Sequence, residues 1–121
     1  MYYGFIMKNI VAVLFLIGLF TTNSNAANAS LLFYGNCTAC HMDIGKKSAP
    51  TFIEIKEHYK RAYPAKNDFV KALSSWVFNP NEETSIMQDA VKKYKLMPQL
   101  TYDLKVLEEI AAHIYEKKLV N

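Results

Sequence analysis

Two thiols and an imidazole stand together in the segment Cys37-Thr38-Ala39-Cys40-His41. Cysteines three positions apart on a turn present two nucleophiles to one object, and the adjoining histidine adds a nitrogen ligand. C-x-x-C-H is the attachment pattern for c-type haem. In that chemistry each thiol adds to one vinyl group to form a thioether, and the imidazole lies beneath the iron. Three other uses of these residues compete. A thiol–disulfide oxidoreductase shares C-x-x-C but expects a βαβ context. A structural zinc site needs four ligands; beyond His41 the chain offers only His58 and His113, with no second C-x-x-C and no H-x-x-x-H. A plain disulfide between Cys37 and Cys40 closes a very small loop and stabilises little.

The elements that must position these groups read as helices, with no period-two pattern long enough for a strand. Leu31, Leu32 and Phe33 predict a short first helix running into the cysteines. A loop with Gly45 and Pro50 follows. Phe52, Ile55 and Tyr59 share one face of a second helix over residues 51–62, which Tyr63-Pro64-Ala65 ends. Asn67 suits the N-cap of a third helix carrying Phe69, Val70, Leu73, Trp76 and Val77, stopped at Asn79-Pro80. Ile86, Ala90 and Tyr94 predict a fourth helix over residues 84–95. After Leu96-Met97-Pro98-Gln99, Thr101 caps a last helix with Leu104, Leu107, Ala111 and Ile114 on one face. Asp103 in its first turn and Lys117 and Lys118 in its last suit the helix dipole.

The N-terminus reads as a secretory leader covering residues 1–26. Lys8 gives the positive region, Ile10 to Phe20 the apolar run, and Thr21 to Ala29 a small, polar stretch. The apolar run is too short to span ~30 Å of hydrocarbon comfortably. Small-x-small cleavage rules fit after Ala26 and after Ala29, and Met7 is an alternative start. An uncleaved leader would act as an anchor. The remaining domain, residues 27–121, is of a size at which burial alone gives marginal stability, so a bound cofactor is attractive. Two cysteines allow only one intramolecular disulfide. The full chain of 121 residues carries a formal charge of +3, mixed along its length. That pattern gives nucleic-acid binding no support.

Across residues 27–121 the sequence resembles the small class I cytochromes c. Phe33 stands four residues before Cys37 and Ala29 four earlier, where that family commonly has Phe and a small residue. Pro50, in Ser48-Ala49-Pro50, matches the proline whose carbonyl accepts a hydrogen bond from the proximal imidazole, with Ala49 in place of the usual glycine. Met97-Pro98 matches the sixth-ligand methionine and its proline, in a loop before the last helix. His113 falls where the family packs an aromatic on the first helix, with Tyr115 two residues on. The resemblance implies an all-α fold, about five short helices wrapped around one covalently attached haem c, with His41 and Met97 as axial ligands.

Other residues bear on the same site. Met87 is the next candidate for the distal ligand, but it falls inside a helical pattern. Met42 is too close to His41 to reach the opposite face. His58 lies on a mostly polar face and His113 beside an apolar stripe, and each reads more readily as a structural or surface residue than as a ligand. Trp76, Tyr59, Tyr63 and Tyr94 are candidate donors to haem propionates, with core packing the plainer role for Trp76. The expectation is an exported, periplasmic, monomeric electron carrier that is not an enzyme and that meets redox protein partners transiently. The alternative is a haem-based sensor or a gas- or peroxide-binding module with a labile distal ligand.

Overall fold

The computed structural model describes residues 24–41 and 48–118; the side chains of residues 24–27 lie outside that description. Among the described residues there are five α-helices and a π turn, with no strand. The helices are α1 Ser24–Leu32, α2 Phe52–Ala62, α3 Lys66–Phe78, α4 Gln88–Tyr94 and α5 Leu104–Glu116. The π turn, Phe33–Cys37, continues α1 directly. None of the described helices is long and apolar enough to cross a membrane. The Ile10–Phe20 run, Met42 and Gly45 all lie outside the described residues.

α2 starts where its sequence says it should. The Thr51 hydroxyl accepts from the Glu54 amide at 3.2 Å, and the Glu54 carboxylate accepts from the Thr51 amide at 2.7 Å. This reciprocal pair satisfies two amide groups that the first turn of a helix otherwise leaves unpaired. α3 begins two residues after Pro64, with Ala65 at its N-cap and no side-chain cap. Asn67 is therefore inside the helix, not at its cap. The last helix likewise begins after Asp103, so Thr101 lies outside it and caps nothing.

The first and fourth helices differ most from their predicted spans. α1 begins at Ser24, well before Leu31, and runs across both candidate cleavage positions. α4 begins at Gln88 instead of Thr84. The residues before it are folded by side chains: Asn81 Oδ1 accepts from the Glu83 amide at 2.8 Å, and Ser85 Oγ accepts from the Met87 amide at 3.1 Å. Gln88 Nε2 donates back to the carbonyls of Glu82 and Ser85. Such local bonds offer the backbone an alternative to a helix.

α5 is the hub. It packs most extensively on α3, and also on α1 and α2. The buried core joins Phe33, Phe52, Ile55, Tyr59, Phe69, Leu73, Leu107, Ile110, Ala111 and Ile114. Full burial of one such side chain is worth about 1.5–3 kcal/mol. Phe33 and Phe52 bring the π turn and α2 together, with ring centroids 4.4 Å apart. At the other end of the hub, Lys66 pairs with Glu116 and the Tyr115 hydroxyl donates to the Pro64 carbonyl at 3.0 Å. The start of α3 is thereby tied to the end of α5.

Candidate functional site

The π turn delivers Cys37. Its defining bond runs from the Thr38 amide to the Phe33 carbonyl at 3.2 Å, five residues back. A π turn disturbs the usual i→i−4 pairing, and two side chains supply bonds of that span. Asn36 Nδ2 donates to the Leu32 carbonyl at 3.2 Å, and Thr38 Oγ1 donates to the Tyr34 carbonyl at 2.7 Å. Beyond Cys37 the chain turns tightly, because the amides of Cys40 and His41 both donate to the Cys37 carbonyl, at 3.4 and 3.1 Å. This fold of the backbone lets Cys37, Cys40 and His41 line one cavity. Cys37 is half-buried and Cys40 exposed, and both are free thiols. Burial pushes the Cys37 thiol above its ordinary value.

His41 is held from the far side of the 42–47 segment. Its Nδ1 donates to the Pro50 carbonyl at 2.7 Å, leaving Nε2 unprotonated in the neutral ring. Burial holds the imidazole below its ordinary pKa, against a smaller upward pull from the Pro50 bond. Ser48 Oγ also donates to the Cys40 carbonyl at 3.3 Å. The 48–50 segment therefore fixes Cys40 and His41 together. It is anchored in turn by the Thr51–Glu54 capping pair, which is readable in the sequence as T-x-x-E and belongs to the machinery of this site. The Phe52 ring lies 5.2 Å from the imidazole, centroid to centroid.

The cavity has a volume of about 280 Å³. Its walls are mostly apolar. Ile55, Leu73, Val77, Leu107, Ile110 and Ile114 come from α2, α3 and α5, and further wall comes from residues 48–50 and 85–100 beside the cysteines and His41. Met97 lines it from the irregular segment between α4 and α5. That segment opens with Lys95 at φ 74°, a conformation few non-glycine residues adopt. A bond from Gln99 Nε2 to the Phe78 carbonyl at 3.2 Å ties it to the end of α3.

Met87 also lines this cavity. It is the N-cap residue of α4, with φ −113° and ψ 59°, and so stands outside the helix. The helical pattern that set it aside in the sequence does not exist at this position.

The other candidates separate cleanly. Neither His58 nor His113 lines the cavity. His58 is exposed on α2. His113 packs on the Phe33 and Tyr34 rings at 5.2 and 6.3 Å, while its Nε2 is buried without a partner. Burial, aided by the Lys117 charge, holds it below the ordinary histidine value. The histidine thus packs where the π turn meets α5. Tyr115 instead packs on Phe69, with centroids 5.1 Å apart. Tyr59 and Tyr94 line the cavity and Tyr63 does not. Burial raises the Tyr59 hydroxyl well above its ordinary range. The Trp76 ring lines the cavity, but its Nε1–H donates to the Asn81 carbonyl at 3.0 Å and so already has a partner.

Among the described residues, no three His, Cys, Asp or Glu side chains gather into a metal site. The chain was compared with family models, curated proteins and solved structures, and it matches none of them significantly.

Proposed function

We propose that this chain is an exported mono-haem c-type cytochrome that carries single electrons. The observation that carries this reading is the hydrogen bond from His41 Nδ1 to the Pro50 carbonyl. It fixes the ring and the tautomer with Nε2 free, beside two free thiols on the wall of an apolar cavity. An imidazole oriented through its other nitrogen is the usual arrangement of a metal-ligating histidine.

The residues present fit a haem. Cys37 and Cys40 would hold it covalently through thioethers, His41 would serve as the proximal ligand, and Met97 as the distal one. When bound, haem supplies a one-electron iron couple whose potential a thioether ligand raises relative to a second imidazole. The protein's part would be to supply both ligands from its own side chains and an apolar lining. Two protein ligands would leave no position for a substrate, which favours electron transfer over catalysis. Cys40 is exposed, so the cysteine edge of the cavity is the side open to a redox partner. Encounters there would be small and short-lived, as turnover requires.

One observation favours the sensor alternative. Met97 sits on an irregular segment entered through a positive φ, which is a less rigid mounting than a helix. Visible spectra of protein matured in an exporting host distinguish the two. The carrier reading expects colour that survives acid–acetone extraction, sharp low-spin reduced bands and no shift with carbon monoxide. A shift in the wild-type protein at neutral pH would favour the sensor. A colourless protein with two titratable thiols would overturn both.

A further inference from the structure

We infer that Met87 is a second thioether ligand for the distal side of the bound haem, able to take the place of Met97; this rests on the function proposed above. Both methionines are half-buried and both line the cavity that His41 lines. Their backbones are held differently. The Met87 amide donates to Ser85 Oγ at 3.1 Å and its carbonyl accepts from the Val91 amide at 3.1 Å. Ser85, at 9% exposure, is itself buried. The Met87 backbone is therefore pinned at the cavity wall on both sides, and only its side chain need turn. Methionine is suited to that role, with three rotatable bonds and a polarizable sulfur.

Met97 depends on the course of its whole segment. The chain enters through Lys95 at φ 74°, and Pro98 has no N–H to anchor the residue that follows Met97. If that segment shifts, the sulfur leaves with it, while Met87 stays where α4 holds it. Exchange of one thioether for the other would move neither an electron nor a proton and would still leave two protein ligands. Among the other side chains on the cavity wall, Lys95 is the chief rival as a replacement ligand.

Carbon monoxide titration of the reduced protein tests this on wild type, M97A, M97A/M87L and M97A/K95A, all matured with haem in an exporting host. Leucine keeps the volume of Met87 and removes its sulfur, so the fold is retained. M97A should keep a low-spin ferric spectrum. It should bind carbon monoxide about tenfold more weakly than M97A/M87L, the factor expected when the competing ligand leaves a tenth of the sites open. M97A/K95A should behave as M97A. Equal affinities in M97A and M97A/M87L would overturn the inference while leaving the haem reading intact. So would release of the site by K95A in place of M87L. A wild-type protein without covalent colour would remove the haem reading itself, and this inference with it.

Discussion

The two sides of the cavity are built on different principles. On the side of the thiols and His41, short-range backbone and side-chain bonds fix each chemical group. The Cys37 carbonyl takes two amides, Pro50 takes the imidazole, and Thr51 and Glu54 lock the segment that carries Pro50. On the methionine side, one ligand candidate stands at a helix cap and the other on a segment without regular structure. The first side is a local motif with a rigid mount. The second is assembled from elements distant in sequence and depends on how they pack. A site of this kind can hold its proximal half constant while its distal half is exchanged or lost.

The largest expected effect breaks the rigid side. Replacing both Cys37 and Cys40 with serine should abolish acid–acetone-resistant colour altogether, measured on protein matured in the same host. Retained colour would mean that the thiols are not the attachment points. Phe33→Ala comes next, because this ring is 1% exposed and joins the π turn to α2 and α5. It should cost about 3–5 kcal/mol in denaturant unfolding. A loss under 1 kcal/mol would mean that the turn is held by its own hydrogen bonds alone.

Thr51→Ala sharpens the comparison more gently. Loss of the N-cap should lower stability by about 1 kcal/mol, with the proximal segment loosened and the methionine side untouched. Hydrogen exchange of the Glu54 amide, which the hydroxyl now holds, would report it directly. A change of similar size and opposite sign is expected at His113. Replacing it with phenylalanine removes a buried nitrogen that has no partner and should raise stability by about 1 kcal/mol. It should also flatten a pH dependence. The folded protein holds His113 below its ordinary value of 6.5, so on acidification the unfolded chain takes up this proton first. The contribution is fully present above pH 6.5 and is lost as the pH falls from there towards the lower folded value. Unfolding midpoints between neutral and mildly acidic pH, compared in the two proteins, would show the difference.

Much of the helical framework was legible because its signals are dense. The stripes of α2, α3 and α5 place Phe52, Ile55, Tyr59, Phe69, Leu73, Leu107 and Ile114 in the core, and proline marks the ends of α2 and α3. The capping pair Thr51–Glu54 was readable but is easily passed over beside the cysteines. α1 was less legible, since Ser24 to Ser30 is small and polar with no apolar stripe to reveal a helix. The span of α4 was misjudged because Asn81, Ser85 and Gln88 turn the backbone through their side chains, and hydrophobic spacing does not register such bonds. That same error placed Met87 second to Met97. A methionine assigned to a helix by its spacing becomes a cavity residue once the helix starts at Gln88 instead of Thr84.

The π turn imposes a constraint of length. Between Phe33 and Cys37 the chain carries one residue more than an α-helical turn would need. Were the same residues to close into a regular α-helix, each turning by about 100°, the extra residue would carry Cys37 round away from the cavity while Phe33 stayed in the core. Transplanting the attachment motif into another helical scaffold therefore requires carrying the whole π turn, Phe33 to Cys37, along with the second cysteine and the histidine.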